Sequence, residues 1–200
     1  LRLTPEESEG VMRLKLKGRL SKEMLQECHN NTGGWVAGLM LILERIKRGE
    51  VDTKSWIGVT NRTISDYFHA EIFQKIDRDT QVFLLKTSFL PDMDACMASK
   101  LTGLDSAEHI LTDLNRNHFF TDKRPHTNPV YQYHPLFREF LLSRARDYFC
   151  HDDISQIQQK AGMIMEEAGR FEDAFELFRD ATDWEGIARL VLKYAPALMA

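Results

Sequence analysis

The chain has 200 residues, of which 43% are hydrophobic and 28% are charged, and this composition excludes a wholly disordered protein. A net charge of −4 argues against a globally basic nucleic-acid binder, and three widely separated cysteines indicate a reducing compartment rather than a disulfide framework. Only 11 glycines and 6 prolines are present, which favours helices over a many-stranded β-sandwich. The longest apolar run, residues 39–43, is too short to cross a membrane.

Residues 1–50 are predicted to form three helices. Thr4 is placed to cap the first, whose pattern ends at Gly18, and Ser21 opens the second. The third begins near Trp35, continues with apolar residues at helical spacing, and stops at Gly49. We therefore expect a small helical bundle.

A change of pattern marks the middle of the chain. A linker is predicted over residues 52–60, followed by helices over 64–72, 77–88, 94–102 and 106–117. Two short segments, 118–121 and 130–133, are rich in aromatic or β-branched residues and predict two strands around a loop. Pro135 then opens a long helix. This order of helices, β-hairpin and closing helix is typical of a winged-helix-like domain.

The last fifty residues are helical again. The first helix starts near Asp152 and ends at Gly169, and two shorter helices follow from Phe171 and Asp183. Short helices that meet along small residues indicate the start of a helical solenoid. The chain stops inside a helical pattern, and we expect it to be a piece of a longer protein.

No motif for chemistry is visible in these 200 residues. Phosphate-binding, dinucleotide-binding, zinc-protease and serine-hydrolase patterns are all missing, so we predict no catalytic residue. The segment Cys150–Asp153 is the densest set of potential metal ligands, but adjacent residues at a helix end point in different directions. We therefore predict no metal site.

Two features raise the question of an anionic partner. The helix over 106–117 would be the DNA-reading helix of a winged helix, but its acidic residues oppose phosphate, which disfavours DNA binding. His134 lies where the hairpin meets a helix N-terminus, which attracts anions. From its position alone, His134 either helps hold an anion or caps the helix.

Several segments occur in a fixed order along the chain: Thr4–Glu7, Gly34–Leu39, Asp66–Phe68, Phe83–Ser88, Tyr133–Phe137, Gly169–Ala174 and Asp183–Trp184. Together they resemble the signal-transducing ATPases (STAND) related to the maltose-regulon activator, which are large LuxR-type bacterial transcriptional regulators. His134, Leu136 and Phe137 match the His-x-Leu-Phe signature that follows the hairpin in this family. The last two segments resemble the start of its tetratricopeptide-like sensor region.

The resemblance implies a mainly α-helical piece in three parts. Residues 1–50 would be the helical lid of the ATPase module, 51–150 the winged-helix-like domain, and 151–200 the start of the helical-repeat sensor region. The P-loop core would lie upstream and a DNA-binding helix-turn-helix far downstream, so DNA contact would come only through that absent part. The parent would be a cytoplasmic, slow regulatory ATPase that binds no membrane and self-associates when an inducer binds.

The resemblance also implies site residues. In the family the winged-helix histidine contacts the β-phosphate of ADP, a role that carries over to His134, and the Gly-Trp segment lies near the adenine, which maps to Gly34, Trp35 and Val36. The family often has proline where this chain has Val36, and Trp35 fits a plain core position equally well. The parent would bind ADP or ATP with Mg, whereas we expect no cofactor for the isolated piece.

A nucleotide-free alternative stays open beside this one. A winged-helix and helical-repeat adaptor that binds proteins would have the same element order and the same apolar surface over residues 152–200. The resemblance favours a switch in which ADP closes the lid and winged helix onto the core, while ATP and inducer open them.

Overall fold

The sequence folds into mainly helical structure in a computed structural model, which describes residues 3–16, 21–48, 56–117, 120–124 and 129–198. The chain divides into two compact units, Leu1–Lys75 and Ile76–Ala200. The first unit contains α1 (Pro5–Leu16), α2 (Lys22–Thr32), α3 (Val36–Lys47) and α4 (Trp56–Glu71), followed by a 3-10 turn at Phe73–Lys75.

The predicted starts of α1 and α2 are confirmed by their hydrogen bonds. The backbone N–H of Glu7 donates to Thr4 Oγ1 at 3.2 Å, while the Glu7 carboxylate accepts from the Thr4 N–H at 2.9 Å. This reciprocal pair is a capping box, which satisfies N–H groups that lack a partner within the helix. The Ser21 side chain caps α2 by accepting from the Met24 N–H.

Helices and one hairpin build the first part of the second unit. Its elements are α5 (Arg78–Thr87), α6 (Ala95–Thr102), α7 (Ala107–Arg116), β1 (Thr121–Arg124), β2 (Val130–Tyr133) and α8 (Pro135–Tyr148). The strands are antiparallel, with Thr121 opposite Tyr133, and Met93 forms an isolated bridge with Tyr131. The hairpin therefore lies between α7 and α8, as the winged-helix prediction requires.

Three further helices complete the second unit: α9 (His151–Glu167), α10 (Phe171–Asp180) and α11 (Trp184–Leu198). α9 and α10 pack together and contribute the buried side chains of Ile164, Met165 and Phe178. A mainly α-helical fold with one winged-helix hairpin is thus confirmed. Within the described ranges, no helix combines the length and apolar character that crossing a bilayer requires.

The boundaries differ from the predicted ones in two places. Residues 56–60 of the predicted linker are helical and form the start of α4. Adding residues to an existing helix is easier than starting a new one, so their weak helix propensity does not prevent it. β1 is shifted to residues 121–124 from the predicted 118–121. Three of its four side chains are exposed, so its backbone pairing leaves no apolar signal in the sequence. Gly18, Gly49, residues 52–55 and residues 118–119 of the predictions lie outside the described residues.

Helix α4 belongs to the first unit, whereas the sequence grouped it with the winged helix from residue 51 onward. Its aromatic face explains this placement, because Phe68 is fully buried and stacks on Trp35 at the start of α3, with ring centroids 5.5 Å apart and planes 14° apart. Burial of large aromatic side chains dominates core energetics, so it determines the unit to which a helix belongs.

Candidate functional site

His134 occupies the junction between β2 and α8. Its backbone is extended (φ −56°, ψ 136°), its N–H donates to the Phe120 carbonyl at 2.7 Å, and Pro135 follows at the first position of α8. The Nδ1 atom of its imidazole accepts from the N–H of Leu136 at 3.3 Å. His134 is therefore the N-cap of α8, which is one of the two roles that its position in the sequence allowed.

In the neutral form of the imidazole, this cap selects the tautomer. A backbone N–H can only donate, so Nδ1 acts as the acceptor and the ring proton lies on Nε2. The side chain is only 8% exposed, and its ring meets Phe120 edge-on with centroids 6.1 Å apart. Nε2–H is thus a donor held in a fixed direction, and an anion reaches it only if neighbouring side chains move.

The end of α5 contacts the same junction. The Tyr133 hydroxyl and Thr87 Oγ1 lie 2.7 Å apart, and both side chains are buried. Burial raises the pKa of the Tyr133 phenol, and the hydrogen bond with Thr87 only partly opposes this effect. Tyr133 therefore stays neutral and hydrogen-bonded, which holds β2 to α5 immediately before His134.

Gly34 and Trp35 lie at the turn before α3, in the first unit. Gly34 has φ +74°, and a Cβ atom there would lie 2.4 Å from the Leu3 carbonyl oxygen, so only glycine fits. Trp35 is 9% exposed, stacked on Phe68 and tilted 57° against Tyr67 at 5.5 Å. Packing alone explains the geometry of this turn, without a bound ligand.

A shallow groove adjoins this turn. It has a volume of about 650 Å³ and is lined by Trp35, Val36, Ala37, Met40, Leu41, Glu44 and Tyr67. The lining is mostly apolar with one carboxylate, so the groove offers contact to a flat apolar ring, and the described residues that line it include no basic group for a phosphate. Trp35 and Val36 thus share one surface, while Gly34 shapes the backbone behind it.

The predicted site residues fall in different units. Gly34, Trp35 and Val36 belong to residues 1–75, and His134 belongs to residues 76–200. Sequence reasoning missed Arg138, whose guanidinium contacts the end of α5. Its position directly after the Tyr133–Phe137 segment was the signal that could have identified it.

Other reactive side chains have structural partners. Cys150 caps α9, with its sulfur accepting from the Asp153 N–H at 3.5 Å, and among the described residues no group of three potential ligands could hold a metal ion. Ser8 Oγ lies 2.8 Å from His29 Nδ1, but the serine is fully buried and no substrate reaches it. Burial raises the pKa of the Cys28 thiol to about 12, so it stays protonated.

Comparison with known proteins gives this arrangement a context. Residues 69–152, which contain the hairpin and His134, match the MalT winged helix domain. Over 150 residues the chain is 26% identical to the HTH-type transcriptional regulator MalT of Cronobacter sakazakii, and 24% identical to the MalT regulators of two Klebsiella pneumoniae strains. In each case the aligned part covers 73% of this chain and 17% of the relative. The chain is therefore similar, over most of its length, to a limited part of the MalT transcriptional regulators.

Proposed function

We propose that this chain is part of a bacterial transcriptional regulator in which a lid and a winged helix respond to the ADP or ATP state of an upstream P-loop core. The observation that supports this proposal best is the match of residues 69–152 to the MalT winged helix domain, because that segment contains the His134 junction. The regulator's DNA contact belongs to a helix-turn-helix downstream of this piece, and its inducer-driven self-association is a property of the parent.

In this proposal, His134 binds a nucleotide phosphate. Its Nε2–H donates to a phosphate oxygen, while Nδ1 stays engaged with Leu136 and keeps the ring oriented. The N-terminus of α8 adds the positive end of its helix dipole. ADP and ATP place their terminal phosphates differently, so a donor held in a fixed direction binds one state better and biases the switch.

The remaining parts follow the same proposal. Residues 1–50 act as lid, and residues 51–150 contain the winged helix, with α4 at their start packed on the lid helices of the first unit. Residues 151–200 act as the start of the tetratricopeptide-like sensor, and the groove beside Trp35 and Val36 receives the adenine side. The upstream core supplies the ATPase chemistry and the Mg site, so this piece contributes no catalytic residue. The parent is a STAND, LuxR-type regulator of the cytoplasm.

Two substitutions at His134 in the full-length parent separate anion binding from capping. His134→Ala removes both the cap and the imidazole, whereas His134→Asn keeps a good N-cap and removes the Nε2–H donor. We expect both variants to release bound ADP faster than the wild type and to raise uninduced reporter activity. ADP release is measured by displacement of a fluorescent analogue.

The paired design makes the result decisive. Wild-type ADP release in His134→Asn, with a defect confined to His134→Ala, would reduce His134 to a helix cap. A matched control is His109→Asn, because His109 is an exposed histidine of the same unit that pairs with Asp113 at 3.1 Å. That control should leave ADP release unchanged.

A nucleotide-free adaptor is the second candidate, and it is favoured by the exposed apolar side chains of α10 and α11. These are Phe175, Trp184, Val191 and Leu192, the last of them 78% exposed. Exposed apolar patches commonly mark protein contacts. The same ADP experiment discriminates the two functions, because a parent that binds neither ADP nor ATP supports the adaptor.

A further inference from the structure

The guanidinium of Arg138 joins α8 to the end of α5. Its Nε donates to the Ser88 carbonyl at 2.8 Å, and its Nη2 donates to the Phe89 carbonyl at 3.2 Å. Carbonyls at a helix C-terminus lack partners within the helix and carry the negative end of its dipole. The planar arginine fork suits two adjacent acceptors better than a lysine ammonium does.

The Arg138 contact is one of two that flank His134 and join its segment to the end of α5. On the strand side, Tyr133 bonds to Thr87, and on the helix side, Arg138 bonds to the next two residues of the same α5 terminus. The backbone N–H of Arg138 also donates to the His134 carbonyl at 2.9 Å. The segment that carries the imidazole is therefore attached to α5 at both ends.

Arg138 is half-buried, and burial lowers the pKa of its guanidinium. A half-buried charged group needs hydrogen-bond partners, and the Ser88 and Phe89 carbonyls supply them.

We propose that Arg138 is a positioning residue, which fixes the junction carrying His134. Its guanidinium holds the first turn of α8 against the end of α5. Because His134 lies one helical turn before Arg138, the direction of its Nε2–H changes with the Arg138 contacts. The nucleotide consequence rests on the proposed function, whereas the coupling itself does not.

The coupling is tested in this 200-residue chain by NMR of the histidine side chains. Ring nitrogen shifts report the tautomer and the hydrogen bond at Nδ1, and His134→Asn assigns the signal. We expect Arg138→Gln to shift or broaden the His134 ring signals and the Leu136 amide. Arg138→Lys, which keeps the charge but lacks the planar fork, should restore them partly.

A matched control lies on the same helix. Arg146 is an exposed arginine of α8. Arg146→Gln should leave the His134 signals at their wild-type positions. Equal signals in Arg138→Gln and Arg146→Gln would overturn the positioning role. Should Arg138→Gln fail to fold, Arg138→Lys takes its place in the comparison with the control variant.

Nucleotide release in the parent separates the two proposals. Arg138→Gln is expected to speed ADP release in proportion to its effect on the His134 signals. A clear NMR effect with unchanged ADP release would support the positioning role and remove the nucleotide role of His134. Faster release with unchanged His134 signals would overturn the positioning role alone.

Discussion

The two units hold their signature segments by different kinds of contact. In the first unit, the Gly34–Leu39 segment meets apolar partners, since Trp35 is stacked on Phe68 and Gly38 has no room for a side chain beneath the indole. In the second unit, the Tyr133–Phe137 segment and Arg138 make polar contacts to the end of α5. The first segment is explained by steric fit, and the second by hydrogen bonds with a direction.

This difference shows which residues a functional hypothesis needs. Steric fit accounts for Gly34 and Trp35 without a ligand, so their presence in a signature adds little evidence for a binding site. His134 is a helix cap, but an asparagine or serine would cap α8 as well. The imidazole is therefore the feature that capping alone does not explain, which makes the second unit the better place to look for nucleotide contact.

The largest expected effects come from the aromatic cores, and they test whether the units are independent. Phe137 and Phe68 are both fully buried, and truncation of a buried phenylalanine typically costs about 3–5 kcal/mol. We expect Phe137→Ala to lower the stability of residues 76–200 and Phe68→Ala that of residues 1–75. Hydrogen exchange resolved by residue measures both. Equal loss in both units from either variant would contradict the division.

Gly38→Ala tests the steric fit of the first unit, because steric clash and helix propensity predict opposite changes in stability. Helix propensity alone predicts stabilisation by about 0.5–1 kcal/mol. A Cβ at Gly38, however, would lie 2.3 Å from the Trp35 ring, and overpacking of this kind typically costs about 1–3 kcal/mol. We expect net destabilisation in urea unfolding.

Gly10→Ala is the matched control for that variant. Gly10 is also helical, but a Cβ atom added there would meet no neighbouring heavy atom within 4 Å, so propensity acts alone and the change should stabilise. Stabilisation by both alanines would show that the indole moves aside at little cost. The steric account of the Gly34–Leu39 segment would then fail.

The element order was predictable from the sequence because caps and periodicity are local signals. At four predicted helix starts, the capping side chain accepts a hydrogen bond from the backbone N–H three residues later in the chain. These residues are Thr4, Ser21, Asp77 and Asp94. The position of β1 was not predictable, since its exposed side chains carry no apolar pattern. Pairing with β2 is a nonlocal effect that the sequence does not display.

The candidate site was predictable only in part, for a similar reason. The location of His134 follows from the hairpin and Pro135, which are neighbours in sequence. The contacts of Arg138 join residues 49 and 50 positions apart, and those of Trp35 and Phe68 join residues from different helices. Such contacts depend on tertiary packing, so a single sequence gives no measure of them.

His134→Ala is expected to destabilise the second unit by about 0.5–2 kcal/mol through loss of the α8 cap. His134→Asn should recover most of this loss, because asparagine is a preferred N-cap residue. Thermal unfolding followed by circular dichroism measures the difference. Equal destabilisation by both variants would mean that ring packing against Phe120, rather than capping, holds the junction.

Tyr133→Phe tests the strand side of the junction and should cost about 0.5–1.5 kcal/mol, the usual net contribution of one hydrogen bond. Thr87 Oγ1 still donates to the Phe83 carbonyl at 2.8 Å, so the variant leaves no unsatisfied buried donor. Urea unfolding at neutral pH measures the effect. A loss of several kcal/mol would indicate that the contact supports more than one hydrogen bond.

The smallest expected effect concerns acid stability at the start of α5. Asp77 accepts from the Thr80 N–H at 2.9 Å and from the Thr80 hydroxyl at 2.7 Å, and these bonds lower the pKa of its carboxyl in the folded state. A carboxyl with a lowered folded-state pKa stabilises fully above its unfolded pKa of about 3.9, and this contribution is lost as the pH falls through the folded value.

Asp77→Asn keeps a capping oxygen but cannot titrate, so the variant should lose less stability than the wild type between about pH 6 and about pH 3. Because Asp77 is mostly exposed, solvent screening keeps the difference small. Urea unfolding across that pH range measures it, with Asp79→Asn as the neighbouring control. An identical pH dependence in wild type and Asp77→Asn would assign the acid sensitivity of the second unit to other carboxylates. The charge of Asp77 at the N-terminus of α5 would then have no effect on the C-terminal end of this helix, which contacts the His134 junction.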